Sequence, residues 1–147
     1  MHPTSITHRR PRAGIDPIVD ASSALEVIGL AAHLPPRDET IVLALDDASC
    51  GTAILVVADT TEPDTVLDVV EFVAASADGG ERASGLIVAS LRASRRSRLV
   101  QSGRDDADRW LEMSALADDA GLDLVEWFVL DGRIRCPRDQ LGIPPRW

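Results

Sequence analysis

At 147 residues, with 45% hydrophobic content and a mean hydropathy of +0.01, the chain holds enough material for one compact domain and too little for two. A net charge of −9 excludes a protein that coats DNA or an anionic membrane through a broad basic face, and leaves room only for a local basic patch. No apolar run reaches the roughly 18 residues of a membrane span and the N-terminus lacks the apolar stretch of a signal peptide, so a cytoplasmic protein is expected.

All 15 basic residues are arginine, a bias expected of a high-GC, actinobacterial type of genome. The two cysteines, Cys50 and Cys136, lie far apart with no CxxC spacing, which fits reduced thiols better than a disulfide frame.

Residues 1–19, MHPTSITHRRPRAGIDPIV, mix prolines and arginines with few large apolar groups, and read as a disordered tail. The HRRPR within it is a solvated stretch before it is an anion-binding arm. From Asp20 to Trp147 the pattern is that of a single domain. Asp20 is a helix cap, and Leu25, Ile28, Leu30 and Leu34 give a helical stripe stopped by Pro35 and Pro36. The runs TIVLALDD and TAILVVAD, joined by DDASCG, predict a β-hairpin. Their continuous apolar character places both strands centrally, covered on both faces.

A second helix opens at Thr61 and Pro63, runs through Val66, Val69, Val70 and Val73 on one side, and stops at Asp78, Gly79 and Gly80. SGLIVASL is a third strand. A third helix begins near Asp105, where acids suit the positive end of the helix dipole, and turns Trp110, Met113, Leu116, Ala117 and Ala120 inward before Gly121. LDLVEWFVL and RIRC form a closing hairpin through Asp131 and Gly132, and PRDQLGIPPRW adds a helical turn. Trp110 and Trp127 are core candidates, and Trp147 is expected to fold back onto the sheet. The order α-β-β-α-β-α-β-β predicts an α/β (α+β) fold of three layers, a mixed central sheet with flanking helices.

Between strand and helix lies an unusual loop. Arg92, Arg95, Arg96, Arg98 and Arg104 carry +5 with no acid among them, while residues 105–126 carry −7. Exposed arginines pairing loosely with that acidic helix would each contribute at most about 1 kcal/mol. A loop that grips an anionic partner through guanidinium forks is the functional alternative. A protein partner fits better than nucleic acid, because no aromatic side chain interleaves with these arginines to stack bases.

Other chemistry is sparse. His2 and His8 fall in the tail and His33 ends the first helix, so none is expected to ligate a metal. Cys50 and Cys136 have no histidine beside them in sequence to make a nucleophile. The serines at 22, 23, 94, 97 and 102 lack the Gly-x-Ser-x-Gly turn, and Gly79-Gly80 lacks the lysine of a phosphate loop.

Ser102-Gly103-Arg104-Asp105 at a helix start, followed by the strand Gly121-Leu122-Asp123-Leu124-Val125-Glu126-Trp127, resembles the later half of a RadC-like JAB domain, a zinc metalloprotease-like fold. Thr61-Glu62-Pro63-Asp64 resembles that family's His-Pro-Arg-Glu helix start with the histidine and arginine gone. Asp38, or Glu39 with a shift of one, takes the place of its general acid/base glutamate. The resemblance puts the two zinc-binding histidines of the family at Arg92 and Ser94. Neither can replace imidazole: zinc takes neutral nitrogen, thiolate or carboxylate, and an always-protonated guanidinium repels it. Asp105 alone would remain of the metal set.

The resemblance therefore implies a domain with vestigial Asp38, Ser102 and Asp105, no metal and no cofactor, serving as a binding or scaffold protein through the arginine loop. The alternatives it leaves are a metal-dependent hydrolase with a rebuilt site, and a DNA-repair-associated protein that binds nucleic acid.

Overall fold

A computed structural model describes residues 10–59, 62–77, 83–94, 97 and 103–147, without the side chains of 77 and 103–105. Its elements follow the expected order. Helix α1 is Ala21–Ala31, β1 Glu39–Leu45, β2 Gly51–Ala58, α2 Pro63–Ala77, β3 Gly85–Leu91, α3 Gly103–Asp119, β4 Asp123–Leu130 and β5 Ile134–Arg135, followed by a 3-10 turn at Pro137–Leu141. None of the described helices is long and apolar enough to cross a membrane.

The five strands make one mixed sheet in the order β2-β1-β3-β4-β5, with β3 and β4 parallel and every other neighbouring pair antiparallel. Helix α1 covers one face, where Ala24 and Ile28 meet Ile41, Leu43, Leu45, Ile87, Ala89 and Phe128. On the other face α2 and α3 pack Val66, Val70, Trp110, Met113 and Ala117 against Val42, Leu86, Val88, Leu124 and Trp127. Two faces of sheet are thus buried against helices, which is the three-layer α/β arrangement expected of the sequence.

Local chemistry explains the boundaries. The Asp20 carboxylate accepts from Ser23 N at 2.8 Å and caps α1. Gly121, at φ +77°, ends α3: its N–H reaches Asp118 O and Leu122 N reaches Ala117 O, a left-handed stop that glycine adopts without a Cβ penalty. A register shift in β4 opposite Leu86 and Ile87 resets the alternation of that strand. Leu124, Trp127 and Val129 consequently face α2 and α3, while Phe128 faces α1.

Three expectations need correction. Residues 10–19 are not a free tail: Ile18 is 3% exposed, its N–H donates to Ser49 O, and Pro17 bridges Cys50. An isoleucine and a backbone bridge offset the ordering entropy that the composition argument charged to this stretch. Strand β2 is not central but forms an edge of the sheet, with Thr52, Ala53 and Ile54 exposed, because residues after β1 turn outward while β3 takes the inner side. In α1 the inward residues are Ala24 and Ile28, whereas Leu30 and Leu34 point out, and the helix ends at Ala31 before the prolines act. The expected cap at Thr61 and stop at Asp78, Gly79 and Gly80 lie outside the described residues, as does 1–9 of the tail.

Candidate functional site

Antiparallel pairing of Glu39 with Leu91 sets the start of β1 beside the end of β3, and the parallel partner β4 ends at the same level. In an open sheet, the crevice beyond the carboxyl ends of parallel strands is where ligands gather. Here that end carries a ledge of ion pairs and serines.

Arg92 is the first residue past β3, still tied to the sheet by its N–H to Leu130 O at 2.8 Å. Its side chain is 1% exposed and turns toward α3, where Nη1 and Nη2 meet the two oxygens of Asp106 at 2.8 and 2.6 Å. Asp106 is wholly buried and takes a second, longer contact from Arg135 Nη2 at 3.4 Å. Arg135 itself is held by Asp131 at 2.8 and 3.0 Å. Burial works against both charges, but the fork contacts win: the Asp131 carboxyl sits below its ordinary range and the Arg135 guanidinium above its own.

Asp38, at the start of β1, reaches across to the residues after Arg92. Its oxygens accept from Ser94 N at 2.8 Å, Ser94 Oγ at 2.5 Å and Ser97 Oγ at 3.0 Å. Partial burial pushes its pKa up, and the donors from Ser94, Ser97 and the Ala93 backbone more than reverse that, leaving it low. The neighbouring Glu39 points elsewhere. It is fully buried and takes His33 N at 2.9 Å, His33 Nδ1 at 2.8 Å and Arg37 Nε at 3.2 Å, which together outweigh desolvation and lower its pKa.

Beside the ledge opens a cavity of about 450 Å³ whose walls include Leu25, Pro36, Leu91, Leu130, Arg133 and Ile134. A third buried carboxylate, Glu126 in β4, accepts from Arg138 Nε at 2.7 Å. Burial dominates there and raises the Glu126 pKa despite Arg138. The Cys136 thiol next to it is pushed up to about 12 by burial and by the Glu126 charge. Cys50 is buried and also raised, so neither thiol is an activated nucleophile.

The structure sorts the expected site residues unevenly. It brings Asp38 to Ser94 and makes Asp38, rather than Glu39, the carboxylate that faces this loop. Arg92 is not a member of an exposed gripping loop, because its guanidinium is buried on Asp106; a guanidinium continuous with β3 follows the strand inward instead of the loop outward. Arg95, Arg96, Arg98 and Ser102 lie outside the described residues, and so do the side chains of Arg104 and Asp105.

Sequence reasoning missed Asp106, although a signal existed. Positions 106, 110, 113 and 117 form one helical stripe with Trp110, Met113 and Ala117, and an acid on an apolar stripe requires a buried partner. Among the described residues no group of three His, Cys, Asp or Glu side chains stands together as a metal-ligand set. No protein-family model matches this chain, and no curated protein matches it.

Proposed function

We propose that this chain is a degenerate RadC-like JAB domain that acts as a binding or scaffold module for a protein partner, with no metal-dependent hydrolysis of its own. One observation supports it above the rest: Arg92, at the position the resemblance gives to a zinc-binding histidine, buries a permanent positive charge against the acid of the following helix. A cation already fills that position, and a divalent metal beside it would meet repulsion instead of a ligand.

The second aligned pair argues the same way. Asp38, in the place of the general acid/base, has its oxygens taken by Ser94 and Ser97, and its low pKa opposes proton uptake near neutrality. The partner contacts in this reading come from Arg95, Arg96, Arg98 and Arg104, which suit an acidic protein face.

Metal analysis of protein purified from zinc-supplemented culture tests the reading. The expected result is well under one zinc per chain. One tightly held zinc per chain overturns it in favour of a rebuilt hydrolase site.

A further inference from the structure

The parallel strands β3 and β4 end side by side at Leu91 and Leu130, and the chain leaves them in different directions. Past Leu91 the Arg92 side chain turns to Asp106 of α3. Past Leu130 the chain doubles back into β5 through Asp131, Gly132 and Arg133: Asp131 N donates to Arg133 O at 3.1 Å, and Gly132 takes φ +92°. One helix, α1, packs on this face of the sheet where two pack on the other, and it lies over β1, β3 and Phe128. The cavity of about 450 Å³ lies between α1 and that turn.

Its walls divide by chemistry. Leu25 from α1, Leu91 and Leu130 from the strand ends, and Pro36 and Ile134 at the sides are apolar. The charged residues among the described walls are two arginines, with no acid beside them. Arg92 is already forked by Asp106. Arg133 is exposed, and among the described residues no carboxylate is hydrogen-bonded to its guanidinium; Asp131 of the same turn is engaged by Arg135.

We infer that this cavity binds a small apolar monocarboxylate, with its hydrocarbon part on Leu25, Leu91, Leu130 and Ile134 and its carboxylate on the Arg133 guanidinium. The volume falls in the range of small-molecule pockets, and the place is the one that open sheets favour, beyond the carboxyl ends of parallel strands. Charge selects the head group. One planar guanidinium matches one carboxylate through two parallel hydrogen bonds. A phosphate monoester carries nearly a second charge, which a single arginine leaves unmatched beside Asp131. A peptide brings amide groups that these apolar walls cannot satisfy, at a cost for each one buried. The site stands apart from the protein-binding reading of the arginine loop and does not rest on it.

Calorimetric titration of the full chain with octanoate, and with octanol as the uncharged probe of the same length, tests the inference. Octanoate is expected to saturate a single site and to bind about tenfold or more tighter than octanol, the usual contribution of a charge-assisted contact. Arg133 and Ile134 are both exposed, so their replacement should leave far-ultraviolet circular dichroism unchanged. Arg133→Gln should bring octanoate down to the affinity of octanol without changing that of octanol. Ile134→Glu, which sets a negative charge in the wall, should weaken octanoate further. Octanoate that does not saturate at millimolar concentration, or that binds no tighter than octanol, overturns the inference. Octanoate that keeps its affinity in both folded variants overturns it as well.

Discussion

The guanidinium of Arg92 and the carboxylate of Asp106 meet as a two-pronged fork, at 2.6 and 2.8 Å, with neither side chain more than 1% exposed. Two unlike elements, the end of β3 and the first turns of α3, are joined by that contact where the chain between them is longest. Removing one partner strands the other charge, so Arg92→Ala and Asp106→Ala are each expected to lower unfolding free energy by about 3–5 kcal/mol. Replacing both with apolar residues of similar volume, as in Arg92→Met with Asp106→Leu, should be milder than either single change. Urea denaturation of the four proteins checks this, and a double variant less stable than either single contradicts it.

Acid should unfold the protein partly through the ledge. A carboxyl group whose pKa is lower folded than unfolded contributes stability that is fully present above the unfolded value and is lost as pH falls through the folded one. Asp38, Glu39 and Asp131 are all lowered. Stability is therefore expected to be level from neutrality down to about pH 5 on their account and to fall below it. Asp38→Asn should give a lower plateau and a shallower fall, measured by denaturation at a series of pH values.

Glu126 runs in the opposite sense. Its folded pKa is raised above 4.5, so protonation favours the folded state, and this group alone makes stability rise as pH falls toward 4.5. Glu126→Gln should remove that rise. Equal pH slopes for wild type and variant between neutrality and pH 5 would count against a raised Glu126.

Thiol reactivity reports the same corner. With its pKa pushed up to about 12, Cys136 is almost entirely protonated at pH 8, and buried Cys50 is raised too. Ellman's reagent at pH 8 should label neither thiol at an appreciable rate in the folded protein and both on denaturation. Glu126→Gln, by deleting the nearest negative charge, should speed labelling of Cys136 and leave Cys50 unchanged.

The C-terminus should be part of the body. Trp147 stacks on Phe128 with ring centroids 6.3 Å apart, and the Arg146 guanidinium lies 5.5 Å from the Trp110 ring centre. Trp147→Ala is expected to lower stability by about 1–2 kcal/mol, from stacking and lost apolar contact. A melting temperature within experimental error of wild type contradicts the packing described.

Much of this architecture is legible in the sequence. Element order, the Asp20 cap, the Gly121 stop, both hairpins and the inward face of α3 follow from periodicity and cap chemistry, which act over a few residues. What escaped depends on contacts distant in sequence. Continuous apolar residues look alike in a central strand and in an edge strand, so apolar character alone does not place β2 at the edge.

The composition of residues 10–19 argued for disorder, yet one isoleucine and a bridge to Cys50 tie them down. Charge groups Arg92 with its loop neighbours, whereas its continuity with β3 decides its direction. Of the candidate site, the resemblance singles out Asp38 and Ser94 separately, but their meeting depends on β1 lying beside β3, and Asp106 shows in the sequence only as a break in an apolar stripe.

Zinc titration of the chelator-treated full chain, followed by calorimetry, tests the central claim most directly. On the proposed reading the guanidinium buried on Asp106 takes the place of a metal ligand, and no site of one zinc per chain is expected at micromolar metal. A single stoichiometric site that disappears in Asp106→Asn would contradict the account, since it would make that carboxylate a ligand and not the partner of Arg92.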